Sequence, residues 1–505
     1  MLDEKYNFKK ISENRTSGVL LHITSLPNEF GIGSLGEESR EFVIKLKQAG
    51  QTWWQILPIG PTGYGDSPYQ SFSSFAGNPY IINLDYLKNC SLLTDEEITE
   101  VKSLYDCNRV DFGKLYNERY ITLRRAYERF DKSSLDFESF CRENSFWLND
   151  YALFMTLKDE NNGKPWQEWE DKYKFRDKEA IEEFENNNFS KVNFYRFLQF
   201  QFFSQWDGLK RFAHENGIKI VGDLPIYVAE DSSDCWANPE LFSLDENLKP
   251  IWVGGCPPDG FSEDGQLWGN PCYDWQVHEE TDYDWWVNRF KWLFSIFDCV
   301  RIDHFRGFES YWRIPAGDDT ARNGSWIQGP GMKLFSKLKD ELGKLPIIAE
   351  DLGYMTKEIY EFRKETGFPG MKILLFAFAK DASSDYLPHN MDKNFVVYPS
   401  THDSDTVIGW IKEHDSEEVE FAKRYLNMTE EEGLNWGMIR GAMTSVADMA
   451  IFQMQDILGL GNETRMNYPG TASGNWTWRM KIGEFSEELI EKLKSYTQMS
   501  GRLKK

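Results

Sequence analysis

Short, nearly unbroken apolar runs recur along this chain, and charged segments with helical patterning lie between them. The runs cover residues 18–23, 52–59, 218–228, 297–303, 345–349, 371–378 and 395–398, and are rich in β-branched and aromatic side chains. A strand that is apolar on both faces suits a parallel sheet covered by helices. Patterns of 3.6-residue period at 37–49, 204–216, 285–297 and 332–342 supply such helices. Strands alternating with helices, with an eighth strand expected beyond residue 440, predict an α/β fold of the (β/α)8 TIM-barrel type rather than an open sheet.

Two intervals are too long for ordinary βα loops. Residues 61–203 are highly charged, with helical patterns at 92–102 and 119–130, whereas 229–284 are rich in Asp, Pro, Gly and Trp and have little periodicity. Both read as insertions at one mouth of the barrel. The expected organisation is a single barrel domain over 1–505, with a helix-rich subdomain at 61–203 and a loop or lid subdomain at 229–284. A barrel with insertions also accommodates 505 residues, more than one compact domain usually holds. No internal repeat, low-complexity tract or inter-domain linker is visible.

Three of the apolar runs end in acids: Arg301-Ile-Asp303-His304, Ala349-Glu350-Asp351 and Thr401-His402-Asp403. Asp223 lies at the end of a fourth run. In a barrel the C-terminal strand ends form the active-site mouth, so four carboxyl groups converge there. Arg301 and Asp303 are two apart and share one face of a strand. The guanidinium is expected to lower the pKa of Asp303, which suits a nucleophile. Glu350 follows Ile347-Ile-Ala349, and desolvation there is expected to raise its pKa, which suits a general acid. Such a pair is what retaining glycoside chemistry requires. Asp403, beside His402, can bind sugar hydroxyls or share charge with an oxocarbenium-like transition state. Taken singly, each acid reads better as a helix cap or ion-pair member; their joint placement favours a site. A metal centre is the sharper rival, but no His pair has zinc-motif spacing.

Other motifs carry less. Gly31-Ile-Gly33-Ser-Leu-Gly36 matches GxGxxG, yet loop residues separate it from the preceding strand and the expected downstream acid is missing. The turn-rich loop 61–70, which contains Ser67 and Tyr69, follows the second strand and reads equally as a plain turn or a substrate loop. Residues 254–270 mix Gly with Asp259, Gln266 and Trp268, groups that bind hydroxyls and stack on sugar faces, and read as a lid.

A net charge of −24 disfavours nucleic acid and anionic membranes as partners. Seven scattered cysteines without a CxxC pair argue against a disulfide framework and for a reducing compartment. With neither a signal-like N-terminus nor an apolar run of membrane-spanning length, the expectation is a soluble cytoplasmic protein.

The three acidic segments resemble the signature segments of glycoside hydrolase family 77, the 4-α-glucanotransferases, also called amylomaltases or disproportionating enzymes. The resemblance extends through 17–27, 63–80, 222–228, 255–273, 456–467 and 475–479, covering nearly the whole chain; 90–200 is its least distinctive part. It implies a retaining double displacement on maltooligosaccharides and other α-1,4-glucans, with Asp303 as nucleophile and Glu350 as acid and base. Asp403 would stabilise the transition state with His402. Asp223, Arg301 and His304 would bind the sugar at the cleavage point, with Ser67 and Tyr69 reaching in from the first loop. Asp259, Gln266 and Trp268 would cover the acceptor side. The family needs no cofactor, and no metal is implied. A monomer or homodimer is expected. The rivals are an α-glucan hydrolase of the same mechanism, a non-catalytic glucan-binding or regulatory protein, and a metal-dependent barrel hydrolase.

Overall fold

The computed structural model describes residues 11, 14–63, 65–106, 108–258, 262–353, 355–379, 382–471 and 473–504. Twelve strands occur among them: β1 Thr16–Leu20, β2 Trp53–Gln55, β3 Lys219–Pro225, β4 Trp252–Cys256, β5 Gln266–Pro271, β6 Cys299–Asp303, β7 Ser310–Pro315, β8 Ser325–Gln328, β9 Ile347–Ala349, β10 Gly370–Ile373, β11 Phe395–Tyr398 and β12 Met449–Gln453. Eight form one all-parallel sheet in the order β10-β11-β12-β1-β2-β3-β6-β9. Its two ends meet where the Ala349 N–H donates to the Pro369 carbonyl (2.9 Å), so the sheet is nearly closed into a barrel. All seven apolar runs contribute a strand, and β12 is the eighth. The strands β2, β3, β6, β9 and β10 are shorter than their runs, whereas β11 spans the whole of its run and β1 begins two residues before its own.

The strands are buried on both faces, as their composition predicts. Ile347, Ile348 and Ala349 are fully buried, and so are all five residues of β1. The helices Glu37–Gln48, Asp284–Ile296 and Met332–Leu342 lie where the 3.6-residue patterns put them and turn Phe42, Phe290 and Leu334 inward.

The pattern at 204–216 is only the end of a 27-residue helix, Phe189–Glu215, which runs unbroken through position 203. Its glutamines interrupt the apolar stripe but are themselves buried. Gln199 accepts from the Gly77 N–H (2.7 Å) and donates to the Gly77 carbonyl (2.9 Å). Gln205 accepts from the Asn83 N–H (2.8 Å). The helix thereby ties down the chain that leaves the β2 loop, satisfying backbone groups that burial would otherwise strand.

A second, antiparallel sheet, β5-β4-β7-β8, stands beside the barrel mouth. It carries Gln266 and Trp268.

Candidate active site

Asp223 and Arg301 are register partners on neighbouring strands β3 and β6, so their side chains share one face of the sheet. Arg301 Nη1 donates to both Asp223 carboxylate oxygens (2.9 and 2.7 Å), and Nη2 donates to Asp303 Oδ1 (2.8 Å). One cation thus serves two carboxylates, which is how charges this deep remain ionised. Asp223 lies two residues inside β3, and Asp303 is the last residue of β6. Arg301 is held above its ordinary pKa: burial lowers it, but Asp223 and Asp303 outweigh burial.

The expected lowering of the Asp303 pKa does not hold. Burial pushes this carboxyl up to about 6 against the pull of Arg301, and the charges of Asp223 and Asp403 add to the rise. The order of the pair survives, because burial pushes Glu350 further, to about 8. Near neutral pH, Asp303 is mainly an anion and Glu350 mainly an acid.

Glu350 stands one residue past β9. Its oxygens accept from two backbone N–H groups, His304 to Oε2 and Leu352 to Oε1 (2.8 Å each). The first bond depends on His304 adopting a left-handed conformation (φ 54°, ψ 45°), which turns the chain sharply after Asp303. Burial, with Arg306 nearby, takes the His304 imidazole down to about 3, so the ring is neutral. Trp268 from β5 meets it edge to face, with centroids 4.8 Å apart.

Asp403 sits five residues beyond β11, in the loop that leads to the helix Val407–Glu413. Its Oδ1 accepts from Asn467 Nδ2 (2.7 Å) and its Oδ2 pairs with His402 Nε2 (3.0 Å). Burial alone pushes this carboxyl up, but His402, Asn467 and Arg301 together outweigh it and hold the group below the usual carboxylate range.

Tyr69 joins the two halves. Its hydroxyl lies 3.0 Å from Asp223 Oδ2 and 2.8 Å from His402 Nε2, and its ring stacks on His402 (5.7 Å, 9°). Asp223 can only accept, so the single phenol proton goes there. Nε2 of His402 therefore carries hydrogen, shared between Tyr69 and Asp403. The Ser67 hydroxyl accepts from the Tyr69 N–H (3.2 Å) and helps to shape the turn that presents Tyr69. Gln266 accepts from Trp268 Nε1 (3.1 Å) and so orients that ring. Asp259 lies outside the described residues.

The fold therefore brings Asp223, Arg301, Asp303, His304, Glu350, His402, Asp403, Tyr69 and Trp268 to one mouth. Asn467, Arg465 and Trp476 also belong here, and the pattern of the chain alone assigns them no role. Trp476 packs on Tyr69 and His402 with centroids 5.8 and 6.3 Å apart. All three fall in segments that carry the family resemblance, which was the one available signal. Among the described residues, no three His, Cys, Asp or Glu side chains are grouped to hold a metal ion.

A nearly closed eight-stranded parallel barrel with charged groups gathered at the C-terminal strand ends defines a (β/α)8-barrel enzyme. The chain belongs to glycoside hydrolase family 77, whose profile, described as 4-alpha-glucanotransferase, matches residues 21–484. It is 51% identical over 485 residues to the 4-alpha-glucanotransferase of Clostridium butyricum, covering 95% of this chain and 100% of that one. It is 46% identical over 501 residues to the 4-alpha-glucanotransferase of Thermus thermophilus, covering 97% and 99%. Among solved structures, the amylomaltase from Streptococcus agalactiae in complex with acarbose superposes with a TM-score of 0.94 at 39% identity, covering 97% of this chain and all of that one.

Proposed function

We propose that this chain is a 4-α-glucanotransferase. It cleaves an α-1,4 bond in a maltooligosaccharide or longer glucan and passes the glycosyl segment to the 4-hydroxyl of a second glucan or of glucose. The observation that carries the reading is the pair Asp303 and Glu350, separated in acidity by their surroundings, at the mouth of a family 77 barrel. The names of the relatives and the acarbose complex of the structural neighbour support an α-glucan as substrate.

In this reading the reaction is a retaining double displacement. The Asp303 carboxylate attacks the anomeric carbon while the bond to the leaving oxygen breaks, and Glu350 gives its proton to that oxygen. In the second half the acceptor 4-hydroxyl attacks the glycosyl-enzyme, Glu350 takes the proton, and Asp303 is released. The backbone donors that fix Glu350 leave lone-pair room on each oxygen for the travelling proton. Asp403, kept anionic by His402 and Asn467, stabilises the positive charge that develops on the sugar. Asp223, Arg301, His304, His402 and Tyr69 bind the sugar at the cleavage point, and Ser67 supports Tyr69. Gln266 and Trp268, with Asp259, cover the acceptor side and exclude water, favouring transfer over hydrolysis.

Residues 61–203 and 229–284 are insertions on one catalytic barrel domain that frame the cleft. The protein works in the cytoplasm, in keeping with free thiols on Cys90, Cys141, Cys235, Cys272 and Cys299. It acts as a monomer or homodimer, without a nucleic-acid or membrane partner, in keeping with its charge of −24. Among the described residues no helix is long and apolar enough to cross a membrane.

Incubation with maltotriose tests the activity. A ladder of longer maltodextrins with released glucose is expected; maltose and glucose alone would replace the transferase with a hydrolase.

A further inference from the structure

Arg465 lies between the loop that bears Asp403 and the segment that bears Asn467, with its side chain 14% exposed. Its three donor nitrogens serve three different groups. Nε donates to the Asn467 carbonyl (2.7 Å), Nη2 to the Asp403 carbonyl (2.7 Å), and Nη1 to the Asp405 carboxylate. Asp405 is itself fixed by Asn462 Nδ2 (3.0 Å) and His414 Nε2 (2.9 Å). The guanidinium face rests on the Tyr468 ring, 4.4 Å from its centroid. The fork is therefore held along its edge and on its face.

The two segments that Arg465 joins also meet each other at the site. The Asn467 N–H donates to the His402 carbonyl (3.1 Å), and Asn467 Nδ2 donates to Asp403 Oδ1 (2.7 Å). A planar guanidinium has a fixed spacing between its donors, so it sets the separation of the two carbonyls it binds. That separation decides whether the Asn467 amide reaches the Asp403 carboxylate. None of the three donors is spent on the carboxylate of Asp403 itself. Main-chain geometry, more than charge, is what this side chain supplies.

We propose that Arg465 is a positioning residue that locks the Asp403 and Asn467 segments at one separation, so that the Asn467 amide holds the Asp403 carboxylate in its working orientation. The inference rests on the reading of Asp403 as the third acid of the site. A lysine in its place keeps the charge but presents one point of donation, and cannot hold two carbonyls apart.

The test measures kcat and KM for maltotriose disproportionation in Arg465→Lys, Arg465→Ala, Asn467→Ala and Arg465→Ala/Asn467→Ala, with a thermal melt of each. Both Arg465 variants are expected to lose kcat by about tenfold to a hundredfold with KM changed by less than about threefold. Asn467→Ala is expected to lose at least as much. The double variant is expected to fall within about threefold of Asn467→Ala, because the effect passes through that amide. A loss of folded enzyme would multiply with the Asn467 effect instead. Wild-type kcat in Arg465→Lys, unchanged kcat in Asn467→Ala, or multiplied losses in the double variant would each overturn the inference. Should Arg465→Ala fail to fold, Arg465→Lys/Asn467→Ala takes its place in the comparison. Asp403→Asn is run alongside: full transfer there would mean that the reading of the site has failed, whereas an inactive Asp403→Asn with a fully active Arg465→Lys would sink this inference alone.

Discussion

Between about pH 5 and pH 9 the specificity constant for maltotriose transfer should trace a bell, because the first half-reaction needs Asp303 ionised and Glu350 protonated in the same molecule. Burial places the two carboxyls at about 6 and about 8. At pH 7 each acid is one unit from its midpoint, so roughly ten elevenths of each is in the required form and about four-fifths of the enzyme is competent. At pH 5 only about a tenth of Asp303 is ionised, and at pH 9 only about a tenth of Glu350 retains its proton. The expected rate therefore falls roughly eight- to tenfold on either side of neutrality. The assay is the initial rate of glucose release at low maltotriose concentration and constant ionic strength. Glu350→Gln then assigns the limbs. With α-maltosyl fluoride, whose leaving group needs no proton, the single-turnover burst of fluoride from this variant, which then stalls as the glycosyl-enzyme, should keep the acid limb and lose the basic one. A profile flat across the range, or a basic limb that survives in Glu350→Gln, would refute the assignment.

Three further outcomes follow from the packing. Tyr69→Phe removes the hydroxyl that joins Asp223 to His402 and should lower kcat/KM by about tenfold to a hundredfold without changing the melting temperature; wild-type kinetics would remove Tyr69 from the site. Gln199→Met strands the N–H and carbonyl of Gly77 and should cost about 2–4 kcal/mol, read as a lower denaturation midpoint. Asp456 is fully buried, its carboxylate accepts from Ser400 and from the Val407 N–H, and burial pushes it up to about 7. An acid raised in the folded state gives stability below the unfolded carboxylate range and loses it as pH rises through about 7, so Asp456→Asn should gain in melting temperature relative to the parent between pH 5 and pH 8; a gap independent of pH would contradict this.

The barrel was readable because parallel strands buried on both faces are apolar without interruption, and seven such runs have no other economical arrangement. The second sheet was not readable. Its strand Trp252–Cys256 contains two glycines, which in a sequence signal a turn. In the fold, a Cβ on Gly255 would come within 2.2 Å of the Gln266 carbonyl oxygen, so the glycine permits strand pairing rather than a turn. The length of the helix Phe189–Glu215 was hidden for a related reason: Gln199 and Gln205 count as polar until their loop partners are known.

In the site, the period of two along β6 was enough to put Arg301 beside Asp303. It could not show Asp223 across the ladder or the depth of burial, and these raise the Asp303 pKa where the neighbouring arginine alone would lower it. Asn467 and Arg465 lie more than sixty positions from Asp403 in an irregular segment with no period to read. Only the fold brings them to it.

In a retaining double displacement Asp303 becomes covalently glycosylated. Glu350→Gln incubated with α-maltosyl fluoride should form the glycosyl-enzyme and then stall, because the general base for its breakdown is missing. Proteolysis and mass spectrometry of the trapped protein should find one added maltosyl group, on the peptide that contains Asp303, and none in Asp303→Asn/Glu350→Gln. A label on another acid, or label retained when Asp303 is replaced, would contradict the account.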